Sequence, residues 1–172
     1  MRLFFALWPD EDVREQLVRW SHALLAVCDG RPTRARNLHL TLAFLGEVED
    51  ERVAEVKSAA GQVVPRSSVL VLDRPGYWKH NRIAWAGASA PPRELEEMVR
   101  ELRGALTRSR IDFDAKAFVS HVTLLREARE PRAMPALEAI RWNVDGFALV
   151  RSPAGRGGAY EVLACWGLRR RG

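Results

Sequence analysis

Apolar and polar residues alternate along this chain in short blocks, and the period of each block marks an element. Arg2 to Trp8 is a β-prone apolar run that ends at Pro9-Asp10. Asp10, Glu11 and Asp12 then crowd the start of a predicted helix, where negative charge suits the helix dipole. Its apolar face is Val13, Leu17, Trp20 and Leu24, at steps of four, three and four, and it stops near Gly30. Pro32 to Arg36 reads as a basic loop. A strand is predicted over Leu38 to Phe44, closed by Gly46, and a helix over Asp50 to Ala60. Ser68 to Leu72 reads as a strand, Arg74-Pro75-Gly76 as a turn, and Arg82 to Ala88 as another strand. Pro91-Pro92 opens a helix whose core face is Leu95, Val99, Leu102 and Leu106. Phe118 to Leu125, Ala139 to Val150 and Glu161 to Leu168 complete the strands. The last two are joined by the flexible turn Ser152-Pro153-Ala154-Gly155-Arg156-Gly157-Gly158.

One tetrapeptide occurs twice in this pattern. His39-Leu40-Thr41-Leu42 returns as His121-Val122-Thr123-Leu124, an offset of 82 residues. The same offset carries Pro9 to Pro91, Val13 to Leu95, Leu17 to Val99, Trp20 to Leu102 and Leu24 to Leu106. Both halves therefore read strand, helix, His-bearing strand in one register. The expected fold is α+β, a duplicated, two-lobed, pseudo-twofold fold. Largely antiparallel sheets would flank a central cleft, with helices on the outside, and residues 1–172 would form a single domain of two lobes.

Composition narrows the picture. Of 172 residues, 47% are apolar, which suits a globular chain and argues against disorder. No apolar run approaches the roughly 20 residues needed to span a bilayer. The apolar start is too short for a signal peptide, so a cytoplasmic location is the default expectation. Cys28 and Cys165 stand far apart, with neither a disulfide framework nor metal-type spacing, and read as buried free thiols. The net charge is +5 and arginine dominates the cations, which suits a polyanion such as RNA. A GC-rich genome would produce the same bias, and the tail Arg169-Arg170-Arg171 reads as a solvated end.

In a strand, a residue and its second neighbour share a face. His39 with Thr41, and His121 with Thr123, would line a cleft while the four aliphatic neighbours enter the core. Imidazole titrates near neutrality. Two imidazoles suit in-line displacement at phosphorus, one taking a proton from the attacking oxygen and one giving a proton to the leaving oxygen. Threonine hydroxyls can donate to the non-bridging oxygens. No metal or other cofactor is needed, and neither tetrapeptide offers an Asp, Glu or Cys on the histidine face to complete a zinc site.

The chain resembles the two-histidine (2H) phosphoesterases, and within them the LigT-like RNA 2′,3′-cyclic phosphodiesterases, long labelled 2′-5′ RNA ligases. The resemblance is carried by Arg2-Leu3-Phe4-Phe5-Ala6-Leu7, Asn37-Leu38-His39-Leu40-Thr41-Leu42-Ala43-Phe44-Leu45-Gly46 and the stretch from Tyr77 to Gly87. It continues through His121-Val122-Thr123-Leu124-Leu125-Arg126, Leu149 to Ser152 and Tyr160 to Leu163. It implies metal-independent hydrolysis of a terminal RNA 2′,3′-cyclic phosphate to a 2′-phosphomonoester, with reverse, ligase-like chemistry on 2′-5′ linkages. It also implies His39 as proton donor, His121 as proton acceptor, and Thr41, Thr123 and Arg126 as substrate-binding residues. The implied partners are RNA ends carrying a 2′,3′-cyclic phosphate, tRNA fragments among them, with a monomer as default and no membrane. Two alternatives stand beside this: a 2H phosphoesterase acting on another cyclic phosphate or a 2′-5′ linked oligonucleotide, and a non-catalytic RNA-binding module.

Two positions depart from the simplest pattern. Ser120 stands where the family commonly has proline, which should alter the strand entry and not the chemistry. Arg126 would, in an unbroken strand, point away from His121. Either the strand twists or bulges there, or Arg126 serves the rim. Trp78-Lys79-His80-Asn81-Arg82 reads as a nucleobase platform or as an ordinary surface loop. Arg31, Arg34 and Arg36 offer an entry for an RNA backbone or a solvated loop. His22 reads as a surface or helix-packing residue, and Tyr160 as packing in the final strand rather than closing over the cleft.

Overall fold

The computed structural model describes residues 1–153 and 160–167. Ten strands and three helices follow in order: β1 (Arg2–Leu7), α1 (Glu11–Cys28), β2 (Arg31–Pro32), β3 (Leu40–Glu47), α2 (Val53–Ala60), β4 (Ser68–Leu72), β5 (Arg74–Trp78), β6 (Ile83–Gly87), α3 (Arg93–Arg108), β7 (His121–Arg126), β8 (Ile140–Val144), β9 (Phe147–Ser152) and β10 (Glu161–Trp166). The fold is α+β, and every strand pairing is antiparallel. Seven strands run in the order β10-β9-β1-β3-β7-β6-β5, with β2 added beside β7, and β4 and β8 form a separate pair.

The order is nearly symmetric about its centre. β3 and β7, the two histidine strands, meet there at a single bridge, Leu40 to Val122. On one side of it lie β1 and β9, and on the other β6 and β5. The helices cross over: α1 follows β1 yet packs against β6, β7 and β8, whereas α3 follows β6 and packs against β3. Each half of the chain thus covers part of the other half's sheet, so the two do not separate as sequence halves.

The helices bury the faces expected of them. Asp10 caps α1, its side chain accepting from the Val13 N–H at 3.0 Å. Val13, Leu17, Trp20 and Leu24 are buried in α1, and Leu95, Val99, Leu102 and Leu106 in α3. Gly30 ends α1 at φ +106°, where a Cβ would lie 2.8 Å from the Arg126 carbonyl oxygen. Only glycine lets the chain turn so tightly into β2 against β7.

Several expected boundaries move: the strand expected over Leu38 to Phe44 runs Leu40–Glu47, and the helix expected from Asp50 opens as a 3-10 turn and becomes α-helical at Val53. Arg74-Pro75-Gly76 is no turn; it opens β5, where Pro75 stands opposite Ala86. β5 is an edge strand, which tolerates a residue without an N–H. Ala139 to Val150 is two strands, because Asp145-Gly146 breaks the run and sends β8 to β4 and β9 to β1. The second histidine strand starts at His121 rather than Phe118. Most of the expected Ser152–Gly158 turn, Leu168 and the Arg169–Arg171 tail lie outside the described residues. Both cysteines are free, but only Cys28 is buried; Cys165 is exposed, on β10 at the sheet's edge.

Trp85 of β6 lies flat across the neighbouring strand. A Cβ on Gly76 would fall 2.0 Å from its ring, and one on Gly87 2.6 Å. Replacing Gly76 with alanine is therefore expected to destabilise the fold by ~1–3 kcal/mol, the usual cost of overpacking, read as a lower midpoint in urea unfolding. An unchanged midpoint would mean that the indole moves freely.

Candidate active site

β3 and β7 deliver the two His-x-Thr motifs from the centre of the sheet. His39 stands immediately before β3 and His121 opens β7. Leu40, Leu42, Val122 and Leu124 are fully buried, while His39, Thr41, His121 and Thr123 are half-buried, so the expected alternation holds. Counting outward from the Leu40–Val122 bridge sets Thr41 across from His121 and His39 across from Thr123. Each threonine therefore stands, in register, across from the opposite motif's histidine.

The two imidazoles are held identically. Nδ1 of His39 lies 2.6 Å from the Asn37 carbonyl, and Nδ1 of His121 lies 2.8 Å from the Val119 carbonyl. A carbonyl only accepts, so each Nδ1 donates, and Nε2 is left as the nitrogen that gains or loses a proton. Each ring also touches a tryptophan. Trp8 stacks on His39 at 5.7 Å between centroids, and Trp78 meets His121 edge-on at 4.5 Å.

Both histidines are harder to protonate than a free imidazole. Burial is the main cause for each. It pulls His39 down to about 4, helped by the charges of Arg126 and His121 and opposed by the hydrogen bond to Asn37. Burial and the Arg126 charge lower His121, against the hydrogen bond to Val119. Arg126 thus acts on both imidazoles.

A β-bulge explains its position. Against β6, Thr123 pairs with Trp85 and Leu125 with Ala84, leaving Leu124 as an extra residue. Leu124 and Leu125 are both buried, the alternation slips by one, and Arg126 returns to the His121–Thr123 face. Among the described residues no carboxylate pairs with it.

Comparison with known proteins places this arrangement. The family model described as LigT like Phosphoesterase matches residues 7–85. An Escherichia coli (strain K12) protein named RNA 2′,3′-cyclic phosphodiesterase is 38% identical over 170 residues, covering 97% of this chain and 96% of the relative. The chain belongs to the LigT-like phosphoesterases. A Thermus thermophilus relative of the same name is 35% identical, covering 98% of this chain and 91% of its own. The crystal structure of E. coli LigT complexed with 3′-AMP superposes with a TM-score of 0.85 at 36% identity, covering 98% of both chains. The LigT-like family therefore accounts for the fold over nearly the whole length.

Other residues of this LigT-like chain take their places around the motifs. Tyr160, expected to pack in the last strand, stands just before β10 and meets His39 edge-on at 5.2 Å. With Trp8 and Phe44 it packs against a small apolar cluster of Phe4, Ala6, Ala148 and Val150. His80 is exposed, 6.2 Å from Trp78. Its loop is tied down by Arg82, which donates to the carbonyls of Ala128 and Glu127. In the basic loop, Arg31 is engaged with Glu127 at 3.3 Å, and a 3-10 turn over Ala35–Asn37 sets up the carbonyl that holds His39. His22 is exposed, as expected. A concavity of about 460 Å³ lined by Gln62, Val63, Arg100, Glu101, Gly104 and Arg108 shares no residue with this site.

Sequence reasoning missed Phe4, Trp8 and Phe44. The signal was present: Phe4, Ala6 and Trp8 are second neighbours, opposite Leu3, Phe5 and Leu7. Because both faces are apolar, the alternation in this run does not mark which face meets the cleft.

Ser120 is buried, and its hydroxyl has no partner among the described residues. An unsatisfied buried hydroxyl costs ~1–3 kcal/mol. Ser120→Ala is expected to leave stability unchanged or raise it by ~1 kcal/mol, measured by urea unfolding. A clear loss would show that the hydroxyl has an acceptor.

Proposed function

We propose that this protein hydrolyses terminal 2′,3′-cyclic phosphates of RNA to 2′-phosphomonoesters by general acid–base catalysis. The supporting observation is the pair of imidazoles tethered in the same way either side of the central bridge, with Arg126, which has no carboxylate partner among the described residues, acting on both. The relatives named RNA 2′,3′-cyclic phosphodiesterase supply the substrate class.

To leave the phosphate on O2′, the bond between phosphorus and O3′ must break. His121 takes a proton from water through Nε2 as the water oxygen bonds to phosphorus. His39 gives the proton on its Nε2 to O3′, which departs as the 3′-hydroxyl. The hydroxyls of Thr41 and Thr123 donate to the non-bridging oxygens, and Arg126 offsets their negative charge. Two proton carriers and these donors complete the cycle, so the scheme calls for no metal or other cofactor. After one turnover each histidine holds the other's starting protonation state, and solvent exchange resets the pair.

Residues 1–172 are read as one domain of two lobes, acting as a monomer in the cytoplasm on RNA ends, tRNA fragments among them. No described helix is long and apolar enough to cross a membrane. The test is incubation of a short RNA ending in a 2′,3′-cyclic phosphate, in excess EDTA, with separation of 2′- from 3′-phosphate products. A 2′-phosphate is expected. Absence of turnover, with turnover of a different cyclic phosphate or a 2′-5′ linkage, would redirect the assignment. Binding of RNA without turnover of any of these would reduce the protein to a binding module.

A further inference from the structure

The two motifs share histidine, threonine, tethering carbonyl and neighbouring tryptophan. None of these tells one lobe from the other, yet the reaction needs the sugar on one side of phosphorus and water on the other. Whatever fixes that polarity must lie where the symmetry breaks.

Tyr160 and Phe4 line the His39 side, and within the repeated strands the symmetry breaks at a pair of equivalent positions three residues after each threonine. Against β1, Thr41 pairs with Ala6 and Ala43 with Phe5, leaving Leu42 as an extra residue. This is the same bulge as at Leu124, 82 residues earlier. Leu42 and Ala43 are both buried, so Phe44 returns to the His39–Thr41 face as Arg126 returns to the His121–Thr123 face. Phe44 pairs with Phe4, whose ring lies 4.8 Å from that of His39. One lobe therefore presents an aromatic ring, one face of which is covered by the Arg2 guanidinium at 5.0 Å from its centroid, where the other presents a guanidinium with no carboxylate partner among the described residues.

We infer that Phe44 and Arg126 together set the direction in which the cyclic phosphate lies across the pseudo-twofold axis, and so decide which histidine is acid and which is base. This rests on the proposed function and deepens it. The C–H edges of ribose gain contact on an aromatic face, and a guanidinium buried under them would lose water without an acceptor. Beside the attacking water, the guanidinium stabilises the developing hydroxide and the phosphoryl oxygens. The sugar then lies on the Phe44 side with O3′ at His39, and water lies on the Arg126 side at His121. Phe44 and Arg126 act here as positioning residues for the pair.

The experiment reads the roles directly. A 2′,3′-cyclic analogue with sulfur in place of O3′ releases a thiolate, which leaves without being protonated. Loss of the acid is then forgiven and loss of the base is not. In the native background, His39→Ala should lose ~100-fold or more on the oxygen substrate and recover most of that on the sulfur analogue. His121→Ala should stay impaired on both. In the exchanged background Phe44→Arg/Arg126→Phe, His121→Ala should become the rescued variant. In Phe44→Arg alone, with a cation on each side, both should be partly rescued. Circular dichroism and thermal unfolding check that each variant is folded. Rescue confined to His39→Ala in both altered backgrounds overturns the inference, and so does folded protein inactive on both substrates in both backgrounds. A native protein that turns over no cyclic phosphate instead removes the proposed function, before any exchange is made.

Discussion

Alanine at His39 or at His121 is expected to lower kcat on an RNA 2′,3′-cyclic phosphate by ~10²–10⁴-fold each, the usual worth of a positioned acid or base. The double variant should be little worse than either single one. Acid and base act in one displacement, so once either proton transfer is lost the other contributes little, and the two losses do not add. Binding should suffer much less than chemistry, because Thr41, Thr123 and Arg126 remain. The loss should therefore appear in kcat with a modest change in KM. Below pH 6.5 each alanine variant should gain stability relative to the native protein, because the folded state resists the protonation that the unfolded chain takes up; above it the titration contributes nothing to the difference. Single-turnover kinetics on each variant is the deciding measurement. A loss below tenfold for either histidine would remove that residue from proton transfer and leave it a binding role.

How much of this could be read before the structure depends on what each residue's neighbours are. The 82-residue offset lies wholly in the sequence, and it foretold both amphipathic helix faces and both histidine strands. The exchange of helices between the halves did not show, because the periodicity of α1 says which face is buried and not which sheet buries it. The place of Arg126 was legible only as a choice. Strand parity sent it away from His121, and a bulge was one of two ways out. The bulge itself is a pairing event between Leu124 and β6, with no local marker such as glycine. Its twin at Leu42 passed unnoticed for the same reason. The wall around His39 was hidden differently. Tyr160 is remote in sequence from Phe4 and Trp8, and only the pairing of β9 with both β1 and β10 brings them together.

The pH dependence of catalysis should carry the same asymmetry. The productive free protein has a proton on His39 and none on His121. Yet His39 is held at about 4 and His121 is also held below 6.5. Near neutrality both are unprotonated, so the productive form is a minority. It is most abundant between the two titrations, and above the higher of them it declines tenfold per pH unit. The profile of kcat/KM should therefore peak below pH 6.5 and fall on the alkaline side. A bound phosphate diester works against the depression, because its negative charge offsets the Arg126 contribution and favours both imidazolium forms, though burial remains. The optimum in kcat should lie at higher pH than that in kcat/KM. Arg126→Met removes a positive charge acting on both histidines and should shift both limbs of kcat/KM upward, while raising KM through loss of the phosphate's counter-charge. Profiles at constant ionic strength over about pH 4 to 9 would decide it. A kcat/KM that rises from pH 6.5 to 8, or limbs that Arg126→Met leaves in place, would mean that neither histidine's titration governs the encounter with substrate.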